Sequence, residues 1–94
     1  MKIGRIVWFD EIVEKLLQKH AVSQNEVREA LEGKPSFRFV EKGNRPGENV
    51  YAALGKTHAG RNLIVFFVYK KDASIIILSA RDMTKAERRR YEQK

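Results

Sequence analysis

Over the first third of the chain, apolar residues recur three and four positions apart. Ile12, Val13, Leu16 and Leu17 form one stripe with Lys15 and Lys19 off it, which predicts an amphipathic helix from an N-cap at Asp10 to about His20. A second helix is predicted from Ser23. Ser23 and Glu26 have the spacing of a capping box, and Val27, Ala30 and Leu31 supply its buried stripe. Gly33, followed by Lys34 and Pro35, ends this helix, because glycine suits a left-handed cap and proline cannot continue the hydrogen-bond ladder. From Ser36 the period falls from near 3.6 to near 2 as Phe37 and Phe39 alternate against Arg38, the mark of a strand. Residues 42–49, rich in glycine and asparagine with one proline, predict an exposed loop. Residues 50–56, 62–69 and 74–80 are rich in β-branched and aromatic side chains and predict an antiparallel meander. Its turns fall at Ala59 with Gly60 and at residues 71–73, and its middle strand, apolar on both faces, should be central. Residues 3–8 alternate weakly and predict a short first strand or an extended lead-in. A second capping box, Thr84 with Glu87, opens a basic C-terminal helix. The expected class is α+β: two N-terminal helices, a four-stranded, largely antiparallel sheet and a C-terminal basic helix, in one domain over residues 1–94.

Composition narrows the chemistry. A chain of 94 residues supports one hydrophobic core, and 43% hydrophobic residues are too many for a disordered chain. The longest apolar runs, 63–69 and 75–78, fall far short of the roughly 20 residues that cross a bilayer. The N-terminus lacks the long apolar core and small-residue cleavage site of a signal peptide, so a cytoplasmic location is expected. With no cysteine there is no disulfide framework, thiolate nucleophile or sulfur-based zinc site. The chain also lacks an HExxH pair, a glycine-rich phosphate loop and a serine elbow, so neither a metal nor a cofactor is expected.

Nineteen Lys and Arg against twelve Asp and Glu give a net charge of +7, which favours a polyanion such as nucleic acid. From residue 81 to the end, six basic residues face three acidic ones. Arginine suits phosphate because its planar fork donates paired hydrogen bonds, although Arg88, Arg89 and Arg90 equally fit a solvated helix face. Arg81 stands where a buried strand ends, a place from which a rigid element can aim a cation into a cleft. His20 is a candidate proton donor or acceptor, or alternatively a cation at a helix C-terminus. His58 lies at a hairpin edge, where simple exposure is the plainer reading. Glu87 can accept a ribose hydroxyl proton or merely cap the last helix. Trp8, Phe37, Tyr51, Tyr69 and Tyr91 offer either stacking surfaces for bases or core packing.

Several segments occur in a telling order: VWFDE, KHAVS, ALGKTHAGRNLIVFF and SARDMTKAERRRYE. In these the chain resembles the BrnT family over residues 6–92, most specifically in the last segment. The resemblance implies a RelE-like fold and a ribonuclease toxin that cleaves RNA without a metal and is neutralised by a small antitoxin. It implies no membrane partner, and DNA contact only through the antitoxin complex. Carried onto this chain, the catalytic set implied is Lys19, His20, Arg61, Arg81, Glu87 and Tyr91; the basic residues Lys56, Lys85, Arg88, Arg89 and Arg90 are, by their charge, the candidate RNA-binding cations. Arg81 and Arg61 fit stabilisation of phosphorane charge, and His20, Lys19 or Glu87 supplies acid and base. One departure is Ala21, where the family usually carries glycine after the histidine. A non-catalytic RNA-binding module and an inactive antitoxin-binding subunit are the alternatives.

Overall fold

The computed structural model describes residues 1–93; Lys94, counted above in the basic tail, lies outside them. The order is β1 (Arg5–Val7), α1 (Asp10–His20), α2 (Gln24–Glu32), β2 (Ser36–Glu41), β3 (Val50–Lys56), β4 (Asn62–Tyr69), β5 (Ser74–Asp82) and α3 (Lys85–Glu92). The α+β class holds, but the sheet has five strands in the order β1-β5-β4-β3-β2 and is mixed. The four-stranded, antiparallel expectation fails at β1, which pairs parallel with the start of β5, Ile6 opposite Ile75. Three residues are too few to display a period, and the parallel pairing joins the two ends of the sequence, so no local turn signal announces it.

Strands β2 to β5 form the expected meander, with the doubly apolar β4 at the centre of the five, flanked by β3 and β5. Helices α1 and α2 cover one face. There Leu16, Val22, Val27, Ala30 and Leu31 pack on Ala53, Leu63, Val65, Phe67, Ile75, Ile77 and Ala80. Phe67 is fully buried among Phe37 and Tyr51, and truncating such a ring to alanine costs about 3–5 kcal/mol. A Cβ at Gly55 would overlap the carbonyl oxygen of Ala30, so the close seat of α2 on β3 requires glycine there. Helix α3 lies on the opposite face, where Phe66, Met83 and Tyr91 cover Ala52, Leu54 and Ile64.

The helix ends differ in detail from expectation. Asp10 is the first residue of α1 rather than its cap; Phe9 holds the cap position without a side-chain hydrogen bond. Asp10 and Glu11 instead place negative charge in the first turn, favourable to the helix dipole. Both capping boxes, Ser23–Glu26 and Thr84–Glu87, are present. Gly33 ends α2 at φ −69°, outside the left-handed region, whereas Ala21 after α1 adopts φ 53°. Among the described residues, no helix is long and apolar enough to cross a membrane.

Candidate active site at the end of β5

The last residues of β5 carry the candidate site because of a one-residue irregularity. Phe67 pairs with Ile77 but Phe66 pairs with Ser79, leaving Leu78 as an extra residue, 37% exposed. An inserted residue changes the parity of everything that follows, since side chains alternate between faces. Ile75 and Ile77 face the helices before the bulge; after it Ala80 does so, with Asp82 in the same phase. Ser79 and Arg81 are thereby turned to the face of α3.

On that face the Arg81 guanidinium donates to both carboxylate oxygens of Glu87, Nη1 to Oε1 at 2.8 Å and Nη2 to Oε2 at 2.9 Å. Nη1 also donates to the Asp82 carbonyl at 3.1 Å, and the group lies 5.5 Å from the centroid of the Phe66 ring. Of the five N–H groups of an arginine, Nε–H and the second hydrogen of Nη2 have no protein acceptor among the described residues. Glu87 also accepts from the Thr84 backbone N–H at 2.8 Å. These contacts, the Arg81 hydrogen bonds foremost, lower the Glu87 pKa from 4.5 to about 2 against the opposing effect of burial. Arg81 is correspondingly raised, chiefly by its bond to Glu87.

On the helix side, Arg61 has an acceptor for every donor. Nε donates to Asp82 Oδ1 at 2.7 Å and Nη2 to Asp82 Oδ2 at 3.2 Å. Nη2 also reaches the His20 carbonyl at 2.9 Å, while Nη1 reaches the Ala21 carbonyl at 2.7 Å and Glu26 Oε2 at 3.2 Å. The guanidinium thus ties the α1–α2 turn to the sheet. Hydrogen bonds from Arg61 are the largest cause of the lowered Asp82 pKa, with the charges of Arg61 and His20 adding to it. Glu26 is lowered first by the Ser23 backbone N–H, then by Arg61. Arg61 itself is raised, chiefly by Asp82.

His20 closes α1, half-buried, immediately before the left-handed Ala21. The turn holds without glycine because the Ala21 N–H returns to Leu17 O at 3.2 Å and the Val22 N–H to Leu16 O at 3.0 Å, with Val22 wholly buried. Lys19 is exposed beside it. Of the residues proposed from sequence, His20 and Arg61 gather on one side of the end of β5, and Arg81 and Glu87 on the other. Tyr91 packs farther along the α3 face, while Lys56, Lys85, Arg88, Arg89 and Arg90 are exposed cations. His58 is held elsewhere: its backbone N–H donates to Glu29 Oε1 at 3.0 Å and its ring lies 3.4 Å from Oε2. Trp8, Phe37, Tyr51 and Tyr69 pack against the helix-side core, so only Tyr91 of the five aromatics belongs to the other face. Asp82 and the second role of Glu26 escaped sequence reasoning, since nothing in the pattern marks which carboxylates meet an arginine from a distant strand. Among the described residues, no three His, Asp or Glu side chains are gathered so as to hold a metal ion.

The fold is similar to that of the Brucella abortus ribonuclease toxin BrnT, known from a 1.1 Å crystal structure, at a TM-score of 0.59 and 14% identity, covering 86% of this chain and 97% of that one. A search of curated proteins found no match. The family model for the ribonuclease toxin BrnT of type II toxin–antitoxin systems matches residues 8–87, most of the chain and both halves of the site. The chain therefore belongs to the BrnT family of ribonuclease toxins.

Proposed function

We propose that the chain cleaves RNA without a metal by transesterification at the end of β5. The ribose 2′-hydroxyl gives up its proton and attacks the adjacent phosphorus; the bond to the 5′-oxygen breaks, and that oxygen takes a proton as it leaves, so that a 2′,3′-cyclic phosphate remains. The reaction needs a proton acceptor, a proton donor and fixed positive charge on the phosphorane oxygens. Arg81 supplies the charge. The observation that carries this reading is the contrast between the two arginines: Glu87 fixes Arg81 from one side while two of its N–H groups keep no acceptor among the described residues, whereas Arg61 is fully engaged. Arg61, Asp82 and Glu26 act as positioning residues that hold the turn bearing His20. Glu87, with a pKa of about 2, is too weak a base for the hydroxyl and serves to orient Arg81. His20 transfers protons, with Lys19 beside it contributing charge. The exposed cations of α3 and Lys56 hold the RNA backbone. This RelE-like chemistry belongs in the cytoplasm, and the antitoxin partner that the family implies would silence it by presenting carboxylates to the Arg81 face. DNA would then be met only through that antitoxin.

The test is cleavage of end-labelled RNA in excess EDTA by wild type, Arg81→Ala and His20→Ala, each first checked for folding. The wild type is expected to leave 2′,3′-cyclic phosphate ends, and each variant to lose at least about 100-fold, the scale of one proton-transfer group or one charge-stabilising donor. Cleavage that needs added metal, or full activity in Arg81→Ala, refutes the proposal.

A further inference from the structure

The α3 face holds a second feature beyond Arg81. Where α3 ends over β2 and β3, a slot of about 200 Å³ lies between Ser36, Arg38, Leu54, Arg90 and Tyr91. That is below the roughly 300–1,000 Å³ of pockets that enclose drug-sized ligands, and suits one flat ring. Its walls are mixed in the manner of a nucleotide site: an aromatic ring and a leucine, a hydroxyl, and two guanidinium groups.

The sheet register ties the slot to the site. Ser36, Leu54, Ile64 and Arg81 form one row across four strands, and Arg38, Ala52, Phe66 and Ser79 form the next. Arg38 and Arg81 thus stand on one face, three strand spacings or roughly 14 Å apart across the sheet. The surface between them is aromatic, with Phe66 beneath Arg81 and Tyr91 packed over Ala52, Leu54 and Ile64. Arg38 is half-buried, and no side chain among the described residues engages its guanidinium in an ion pair or hydrogen bond, unlike the paired Arg61 and Arg81.

We infer that this slot is a subsite for single-stranded RNA, taking one unpaired base on the Tyr91–Leu54 wall and the flanking phosphate on Arg38 and Arg90, a few nucleotides from the phosphate at Arg81. The inference rests on the proposed ribonuclease reading for its direction along the face. An aromatic wall accepts any base, because every base has a π-face, while the two arginines supply the salt-dependent part of affinity. The subsite therefore provides grip and strand path rather than a strict sequence code.

The test is fluorescence anisotropy with a labelled single-stranded 2′-O-methyl oligoribonucleotide, which lacks the attacking hydroxyl and cannot be cut. Arg38→Ala is expected to weaken binding about tenfold and to lower the slope of log affinity against log salt by about 0.7, the value for one lost phosphate contact on a single strand. Tyr91→Leu, which keeps an apolar plug over Leu54, is expected to weaken binding about tenfold with the slope unchanged. Arg28→Ala, on the opposite face, removes the same charge and is expected to bind within about twofold of wild type. Wild-type affinity in Arg38→Ala, or an equal loss in Arg28→Ala, overturns the subsite. If the wild type binds in this slot-dependent way but never cuts RNA, the ribonuclease reading fails and the subsite stands. If it cuts while Arg38→Ala binds normally, the subsite alone fails.

Discussion

Replacing Glu87 with glutamine keeps the shape of the side chain and an oxygen for the Thr84 N–H, but removes the charge that Arg81 faces. The lowering of the Glu87 pKa from 4.5 to about 2 converts, at about 1.4 kcal/mol per pH unit, to about 3 kcal/mol. The Arg81 side chain is 34% exposed and that of Glu87 16%, so solvent screening brings the expected loss at pH 7 to about 2 kcal/mol. The sign follows from the direction of the shift. A depressed carboxyl pKa adds stability that is fully present above 4.5 and disappears as pH falls through about 2. Urea unfolding of wild type and Glu87→Gln, followed by circular dichroism from pH 7 to pH 2.5, is expected to show a gap that is constant above about pH 5 and narrows steadily below it. Asp82 and Glu26 are lowered too, but they are common to both proteins and cancel in the difference. A gap that persists unchanged at pH 2.5, or no gap at pH 7, refutes the ion-pair account. The pH–rate profile adds a second check. If Glu87 were the base, Glu87→Gln would remove an acid limb from kcat/KM near pH 4 to 5; with its pKa about 2, no such limb belongs to it.

Three further perturbations probe the same end of the sheet. Ala21→Gly relieves an alanine held at φ 53°; the relief of about 1–2 kcal/mol, less about 0.5–1 for the extra freedom of glycine in the unfolded chain, leaves a gain near 0.5–1 kcal/mol, which calorimetry should register as a Tm rise of about 4 °C. Arg61→Lys cannot reproduce a fork that meets two carboxylates and two carbonyls, so stability is expected to fall by about 2 kcal/mol, with faster hydrogen exchange at Ala21 and Val22; wild-type exchange there would show that the guanidinium does not hold the turn. Deleting Leu78 removes the extra residue but leaves Ser79 opposite Phe66 and Arg81 opposite Ile64, so Arg81 is expected to keep the α3 face and its bond to Glu87 and cleavage to survive, loss of cleavage showing that the bulge itself shapes the site; Leu78→Ser, at an exposed position, should shift stability by less than about 1 kcal/mol in the same urea assay.

The extra residue at Leu78 marks the boundary of what the sequence could convey. Periodicity located α1, α2 and the strands of the meander because each pattern is local and each face meets a different medium: Leu16, Val27 and Phe67 are buried, while Lys15 and Lys19 are exposed. It could not locate β1, whose three residues gain their meaning from Ile75, some 70 positions away. Nor could it separate Arg61 from Arg81. Both are arginines at the ends of apolar strands, and what distinguishes them is the number of donors already satisfied, which depends on Asp82 and Glu26 for one and on Glu87 for the other. That division follows from the bulge. In the run of apolar residues from Ile75 to Leu78, an extra residue leaves no trace in hydrophobicity, yet it decides that Arg81 points to α3 while its neighbour Asp82 points to the turn carrying His20. Two adjacent residues on opposite faces of one strand can serve a single site only where the sheet ends, because only there can one phosphate approach both sides. The place proposed for the site at the tip of β5 is therefore a consequence of strand geometry, and an arginine two residues earlier, however well paired, would sit too far inside the sheet for the proposed chemistry.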